Sequence, residues 1–386
     1  MASIALRFPP SELPESALRL RDEVRVFVKE EIEAGTFQPA VDSWLSGISP
    51  EFSRKLGERG WLGMSWSKKY GGHERSLLDR FVVSKELLAA GAPVGVHWAG
   101  DRQTGPMLET HGTEHQKQKY LPAMARGECF FALGLSEPDA GSDLANVRTR
   151  ATQTEGGWLL NGSKIWSSGA HHAHAMVVLC RTSPKDDGNR HAGISQLMIE
   201  TDQEGVTIRP INLITGVHHF NEVVFEDAFV PDNMVVGEVG GGWAQVVSEL
   251  AFERSGPERF LSTFPLFLEF LRVAKGTRDA RIQEVVGNLT ARYTALYNMS
   301  MRVMGMLAKG ERVDTEAALV KDVGTRYESE LTEALRLLVH ERGSFAEPTR
   351  FESQLMKALL HSPGFTLRGG TNEILRGMIA RGLGLR

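Results

Sequence analysis

Apolar residues recur with a helical period through the first ~125 positions of the chain. In the segment from Pro14 to Gly35, the apolar residues that fall near one face are Leu18, Val24, Phe27, Val28 and Ile32. Gly35 supplies a stop, because glycine readily ends a helix in a left-handed conformation. The segments 49–63, 76–93 and 111–128 continue the pattern. The pattern predicts a helical N-terminal domain.

The pattern changes at residue 129 to short apolar or alternating runs. They include FFALGLS, TRATQT, WLLNGSK, AMVVLCRT, ISQLMIET, VTIRPI and HHFNEVVFEDAFVP. Glycine, asparagine, aspartate and proline separate the runs, and EGGW at 155–158 is typical of a hairpin turn. These features predict a small antiparallel sheet or barrel.

The helical period returns at GGGWAQVVSELAFERS and continues to EILRGMIARGLG near the carboxyl end. The order helices, strands, helices predicts an α+β chain with domains at 1–127, 128–236 and 237–386. Because strands and helices do not alternate, a doubly wound nucleotide-binding fold is not expected.

Composition narrows the function classes for this 386-residue chain. The net charge of −4 argues against a nucleic-acid surface, which normally carries a basic excess. No apolar run approaches the ~20 residues that cross a bilayer, and MASIALRFPPSELPES lacks the features of an export signal. Only Cys129 and Cys180 are present, which suits a reducing compartment. We therefore expect a cytoplasmic protein without a membrane span.

A first candidate for chemistry is GLSEPDAGSD at 134–143, directly after an apolar run. Ser136 and Ser142 offer hydroxyl groups, and Gly141 lets the backbone expose N–H groups. These groups suit an anionic or carbonyl-rich ligand. The alternative is a turn that simply ends a strand.

A second candidate is NGSKIWSSGAHHAHAM at 161–176. If this segment is a strand, Trp166 and Ser168 lie on one face and offer an aromatic plane and a hydroxyl group to a planar heterocycle. The alternative is a tryptophan that fills the core. His171, His172 and His174 lack a carboxylate or cysteine at a diagnostic spacing, so no metal site is predicted.

Together the strings LSEPDAGSD, GSKIWSSGA and GGTNEI resemble three sequence markers of the acyl-CoA dehydrogenase family. The resemblance implies a helical N-terminal domain, a middle β-domain and a C-terminal four-helix bundle. It also implies that FAD lies between the middle and C-terminal domains, near a subunit interface. The expected reaction removes an α-proton from an acyl-CoA thioester while a hydride leaves its β-carbon.

The resemblance assigns roles to individual residues. The residues implied to contact the flavin are Leu133, Leu135, Ser136, Ser142, Trp166, Ser168, Thr371 and Glu373. The residues implied to contact the acyl-CoA are Ser142, Arg254 and Gly370. Ser142 belongs to both sets because the matching family position touches flavin and pantetheine.

The catalytic base is expected in an uncommon place. Many family members carry a glutamate immediately before GT in the third marker, but Gly369 stands there in this chain. A minority carries the base as a glutamate directly before an arginine on a C-terminal-domain helix, and Glu253 before Arg254 matches that arrangement. Glu253 follows Leu250 by one helical turn, so it can join the apolar face. Glu137 is the rival candidate, and the family resemblance makes it a structural residue.

Two family segments that hold the adenine half of FAD do not match this chain. Their places are taken by GTRDARIQEVVGNL and HERGSFAEPTRFESQ. Three explanations remain open: Arg278 or Arg281 holds the cofactor, a paralogous partner subunit completes the site, or the chain is a weakly binding scaffold. The role of Arg368 is also open, since it could accept a polar or carboxylated acyl group or neutralise Glu253.

The expected function is therefore FAD-dependent acyl-CoA dehydrogenation with an electron-transfer flavoprotein as acceptor. A homo- or hetero-oligomer, dimeric or tetrameric, is expected because family cofactor sites lie at subunit interfaces. The alternatives are a non-catalytic or half-site partner subunit, and a flavin oxidase or monooxygenase on the same fold. The retained Glu253–Arg254 pair counts against the oxidase or monooxygenase.

Overall fold

A computed structural model describes residues 6–186, 188–340 and 349–385, without the side chains of residues 248–253 and 340. The helices are α1 (Glu15–Glu33), α2 (Ser43–Ser46), α3 (Pro50–Glu58), α4 (Leu77–Ala89), α5 (Gly95–Ala99), α6 (Gly105–His111), α7 (Glu114–Ala125), α8 (Gly242–Ser255), α9 (Phe264–Ala274), α10 (Ala280–Leu307), α11 (Asp314–His340), α12 (Arg350–Phe365) and α13 (Asn372–Gly382). The strands are β1 (Phe131–Gly134), β2 (Arg150–Thr154), β3 (Gly157–Lys164), β4 (Ala175–Arg181), β5 (Ile194–Glu200), β6 (Val206–Asn212), β7 (His218–Pro231) and β8 (Val235–Val236).

The chain forms two compact units that interleave along the sequence. One contains residues 1–47, 76–93 and 251–386, and the other contains residues 48–75 and 94–250. The three predicted regions of helix, strand and helix are confirmed in their order, and so is the α+β class. The predicted domain boundaries at 127 and 236 stay a prediction.

The helical unit is built from amphipathic helices. In α1 the buried face contains Leu20, Val24, Phe27 and Val28, and the chain turns away at Gly35 with φ of +74°. The sequence-based placement of Leu18 on this face was wrong: its side chain is 36% exposed, and Ala17 is buried instead. Helix α11 packs against α10, α12 and α13, while α4 packs against α1 and α10.

The second unit contains a sheet in which β6, β7, β3, β2, β4, β5 and β8 are neighbours in that order, with β1 beside β4. Most pairings are antiparallel, as predicted, but β1–β4 and β2–β4 are parallel, so the sheet is mixed. The EGGW hairpin is confirmed, with Thr154 opposite Gly157 and a positive φ at Gly156. Every residue of β4 is buried, which explains its continuous apolar sequence.

The sheet fixes the positions of the two marker segments in this unit. The segment 135–143 follows β1, and the segment 165–169 follows β3. The backbone N–H of Ile165 donates a hydrogen bond to the Ser136 carbonyl oxygen over 2.9 Å, so the two segments are in direct contact. Among the described residues, no helix is both long enough and apolar enough to cross a membrane.

Candidate functional site

The first marker segment leaves β1 after Gly134. Leu133, Leu135 and Ser136 are half-buried, and the two leucines pack at the edge of apolar clusters. Ser142 and Gly141 are exposed, and a Cβ on Gly141 would meet open space. Of the predicted contact residues in this segment, Ser142 is therefore exposed, while Ser136 lies close to the end of β3 through the bond of its carbonyl group with Ile165.

Trp166 and Ser168 lie in a turn, which corrects the expectation that they share one face of a strand. Strand β3 ends at Lys164, and Trp166 has a left-handed backbone with φ of +61°. This conformation costs a bulky residue on the order of 1–3 kcal/mol and persists where neighbouring contacts hold it. The indole is 52% exposed and meets the Phe220 ring edge-on, with centroids 5.7 Å apart. The tryptophan therefore presents its aromatic surface to solvent rather than filling the core.

Glu137 is a structural carboxylate, which agrees with its low rank as a base. It accepts hydrogen bonds from the Lys164 ammonium at 2.7 Å and from the backbone N–H groups of Arg148 and Thr149 at 2.6 and 2.9 Å. Burial alone would raise the pKa of Glu137, but the charge and hydrogen bond of Lys164 outweigh burial and lower it. A carboxylate held in its ionised form by these three hydrogen bonds is a poor acceptor for a carbon-bound proton. Its role is to anchor the first marker segment.

Lys164 extends this anchor to the backbone. Its side chain is fully buried, and its ammonium group also donates to the Leu135 carbonyl oxygen over 3.1 Å. The end of β3 is thereby tied to Leu135, the residue directly before Ser136. No local pattern predicts this ion pair, because Glu137 and Lys164 lie 27 positions apart in the sequence.

The third marker forms a double-glycine turn in front of α13. Gly369 and Gly370 have φ values of +69° and +85°, a region that favours glycine, and the Thr371 hydroxyl caps the helix by accepting from the Ile374 N–H. Glu373 follows with an exposed side chain. The turn and cap are thus dictated by the GGT sequence itself.

A buried lysine supports the GGT turn from inside the helical unit. The Lys321 ammonium donates to the carbonyl oxygens of Gly370 and Thr366 over 2.7 and 3.1 Å, and to Asn372 Oδ1 over 2.8 Å. Lys321 is fully buried on α11, and the sequence analysis missed it. An apolar helix face interrupted by a lysine was the only available signal.

Arg254 lies against the same turn. Its side chain is 7% exposed, Nη1 lies 3.3 Å from Met378 Sδ, and a Cβ on Gly370 would be 3.7 Å from Nη2. The structure therefore brings together Arg254 and Gly370, two residues predicted to contact the substrate. The backbone of α8 places Glu253 directly before Arg254, but the Glu253 side chain lies outside the described residues.

Arg368 has a structural partner that neither sequence-based role anticipated. Its guanidinium forms an ion pair with Asp42, which is 1% exposed, and donates to Ser262 Oγ over 3.2 Å. It also covers the Trp44 ring at 4.4 Å from the centroid. The positive charge of Arg368 is therefore paired with the Asp42 carboxylate inside the helical unit.

Two further candidates, Arg278 and Arg281, lie at the start of α10. Arg278 and Arg281 are exposed, and the Asp279 carboxylate caps α10 by accepting from the Arg281 N–H. Residues 341–348 of the segment HERGSFAEPTRFESQ lie outside the described residues. Within the described part of the chain, no group of three or more histidine, cysteine or acidic side chains is arranged to hold a metal ion. His171 instead stacks on His218, with centroids 3.8 Å apart.

Comparisons with known proteins match this architecture over nearly the whole chain. Acyl-CoA dehydrogenase N-terminal, middle and C-terminal domains match residues 14–128, 132–228 and 240–384. Acyl-CoA dehydrogenase FadE34 of Mycobacterium tuberculosis is 34% identical over 352 residues, or 89% of this chain. The match spans 48% of FadE34, so this chain covers about half the length of that relative.

Two solved structures are similar over their full lengths. One is described as the Tcur3481-Tcur3483 steroid ACAD, with a TM-score of 0.86, 28% identity, and 98% and 99% of the two chains covered. The other is the ChsE4-ChsE5 complex from Mycobacterium tuberculosis, with a TM-score of 0.82, 28% identity, and 99% and 100% covered. With matching N-terminal, middle and C-terminal domains and relatives of the same kind, this chain belongs to the acyl-CoA dehydrogenase family of oxidoreductases.

Proposed function

We propose that the protein oxidises an acyl-CoA thioester to its α,β-unsaturated form, with FAD as cofactor and Glu253 as the base. The observation that carries the proposal is the position of Arg254 against Gly370. The GGT turn has no carboxylate at Gly369, and Arg254, which lies against Gly370, is the residue directly after Glu253. This arrangement supports a base on α8.

The residues of the middle sheet suit a flavin. Trp166 offers an exposed aromatic surface, and Ser136 and Ser168 offer hydroxyl groups from two segments joined by the Ile165–Ser136 hydrogen bond. We propose that they contact the isoalloxazine together with Leu133, Leu135 and Ser142, while Thr371 and Glu373 contact the cofactor from the GGT turn. FAD, when bound, supplies the acceptor for the hydride that leaves the β-carbon.

The protein residues handle the proton. An α-C–H beside a thioester is a weak acid, so its carboxylate base has to meet it away from water, where the pKa of the carboxyl group is raised. Glu253 takes the α-proton, and the neighbouring Arg254 charge favours the anionic character that develops on the thioester. Ser142 and Gly370 are proposed to contact the substrate, and an electron-transfer flavoprotein is the proposed electron acceptor.

Flavin bleaching tests this proposal. The purified protein is mixed anaerobically with saturated acyl-CoA thioesters, and the visible flavin absorbance is followed. We expect Glu253→Gln to keep the flavin but lose bleaching by about a thousandfold or more, since the base is removed. The other glutamate of α8 provides the matched control, and Glu249→Gln should bleach like the wild type. Equal bleaching in both variants contradicts Glu253 as the base.

We further propose a bulky polycyclic acyl group and a hetero-oligomer that contains a paralogous chain. The similar solved structures are described as a steroid ACAD and as a complex of two components. FadE34 is about twice the length that this chain matches, so its other half has room for a second domain set. This assembly also offers a source for the adenine contacts that the sequence lacks.

Co-expression with a paralogous acyl-CoA dehydrogenase chain tests the assembly. We expect the flavin content and the bleaching by a steroid side-chain thioester to increase only when both chains copurify. A fully flavin-loaded homo-oligomer that bleaches with straight-chain thioesters contradicts the hetero-oligomer. Rapid reoxidation by oxygen with peroxide release favours the oxidase alternative instead.

A further inference from the structure

The turn that carries Trp166 and Ser168 is hydrogen-bonded to one buried residue of the neighbouring strand, through both the backbone and the side chain of that residue. Asn221, in β7, is fully buried. Its backbone exchanges two hydrogen bonds with Ser167, from Ser167 N to Asn221 O over 3.0 Å and from Asn221 N to Ser167 O over 3.2 Å. Its side-chain Nδ2 adds a third bond to the Ser167 carbonyl oxygen over 3.0 Å. Ser167 stands between the two proposed flavin contacts.

The same amide fixes two histidines. Asn221 Nδ2 lies 3.0 Å from His171 Nδ1, and His218 Nε2 lies 2.8 Å from Asn221 Oδ1. Because an amide nitrogen only donates and an amide oxygen only accepts, His171 Nδ1 has to be unprotonated and His218 Nε2 has to carry a proton. The two rings stack with an interplanar angle of 15°. Asn221 therefore sets the tautomers of the pair.

The protonation state of His171 agrees with this arrangement. Burial, together with the neighbouring His172 and His218, lowers the pKa of His171 to about 4. A neutral His171 keeps Nδ1 available as an acceptor at physiological pH. The amide of Asn221 is thus used on both sides, by the Ser167 peptide and by the histidine pair.

We propose that Asn221 is a positioning residue that orients Trp166 and Ser168 toward the flavin, an inference that rests on the proposed function. Trp166 adopts a left-handed backbone, a conformation that is strained for a bulky residue. Ser167, directly after it, shares three hydrogen bonds with Asn221, one of which comes from the side-chain amide, and Phe220, next to Asn221, packs against the indole. Without the amide, only the two backbone bonds join Ser167 to residue 221, so the strained conformation of Trp166 is held less firmly.

The decisive variant is Asn221→Asp, which keeps the side-chain shape but removes the donor. The carboxylate faces the Ser167 carbonyl oxygen and attracts a proton onto His171 Nδ1. Asn161→Asp is the matched control, because Asn161 also joins β3 to β7, through Asp227, but lies away from the turn. We expect Asn221→Asp to weaken FAD binding by about tenfold or more and to shift the flavin absorption spectrum. Asn161→Asp should leave both unchanged.

Histidine nitrogen NMR on the wild type supplies a measurement that needs no variant. We expect His171 with its proton on Nε2 and a bare Nδ1, and His218 with a protonated Nε2. A proton on His171 Nδ1 at neutral pH overturns the inference even if Asn221→Asp does not fold. Unchanged FAD affinity and spectrum in folded Asn221→Asp overturn it as well. A wild-type protein that binds no flavin contradicts the proposed function instead. Flavin binding by the wild type therefore distinguishes a failure of the proposed function from a failure of the Asn221 inference.

Discussion

Arg368 and Asp42 form a buried ion pair, with Nη2 2.8 Å from Oδ1 and Nη1 2.9 Å from Oδ2. His361 Nδ1 adds a contact of 2.9 Å to the same carboxylate. Burial opposes the ionisation of Asp42, but the charge of Arg368 and the bonds from both partners lower its pKa well below the usual range. The arginine beside the missing GGT carboxylate therefore stabilises the helical unit.

Arg368→Met should destabilise the protein while leaving its substrate preference unchanged. Removing one partner of a buried pair leaves an uncompensated charge, which costs about 3–5 kcal/mol. Urea unfolding measures the loss, and the ranking of acyl-CoA thioesters is measured on the fraction that stays folded. Arg336→Met is the matched control, because Arg336 pairs with Glu333 at the surface, where such pairs contribute about 1 kcal/mol or less. A changed ranking with normal stability contradicts the structural role.

Glu328 should make this unit less stable as the pH rises. Its side chain is fully buried, its Oε1 accepts from the Ser262 N–H over 2.6 Å, and burial raises its pKa to about 8 against the opposing charge of Arg368. The raised pKa means that stability is fully present below about pH 4.5 and is lost as the pH rises toward 8. Relative to Glu328→Gln, the wild type should lose up to about 1.4 kcal/mol per pH unit across that window.

Urea unfolding at about pH 5, 6, 7 and 8 measures how the unfolding free energy depends on Glu328. The matched control is Glu330→Gln, on the same helix but exposed, which should follow the wild-type curve. A difference between the wild type and Glu328→Gln that is constant with pH contradicts a protonated Glu328. A wild type that gains stability relative to Glu328→Gln as the pH rises toward 8 contradicts it also.

The sequence predicted the elements and the marker segments but not the contacts that hold them. Periodicity and turn residues located the hairpin before β3 and the GGT turn, because local backbone preferences decide both. Trp166 was expected on a strand, since alternation cannot reveal a left-handed residue that a distant asparagine holds in place. The pairs Glu137–Lys164 and Arg368–Asp42 join residues remote in sequence, and only the tertiary structure brings them together.

His97 makes the sheet-containing unit sensitive to acid. It is 5% exposed, its Nδ1 lies 2.7 Å from Ser53 Oγ, and burial lowers its pKa to about 4 although the charge of Asp101 opposes this. Because the pKa is depressed, stability is present above about pH 6.5 and is lost as the pH falls through 4. The loss should approach about 3 kcal/mol. His97→Asn, whose side-chain amide can donate or accept in place of Nδ1, should flatten this dependence in acid unfolding curves.

The exposed His115 is the control for this acid effect, because His115→Asn should retain the wild-type acid dependence. Thermal unfolding between pH ~4 and ~7 is the measurement, and the relevant comparison is the slope of stability against pH. Parallel slopes for the wild type and His97→Asn contradict the assignment to His97.

Substitution of Glu137 should lower the stability of the protein, whereas substitution of Glu253 should lower its activity. Glu137→Gln leaves the fully buried Lys164 without its anion, so we expect a loss of about 3–5 kcal/mol in unfolding free energy. The folded fraction should still bleach its flavin with a rate within about tenfold of the wild type, because Glu137 is not the base. Adding Lys164→Met to Glu137→Gln should recover part of the stability, since neither charge is then buried alone.

Glu253→Gln should have the opposite effect and keep the unfolding free energy while losing flavin bleaching. If Glu137→Gln abolishes bleaching in a protein of normal stability, the base lies on the first marker segment and the assignment to α8 is wrong.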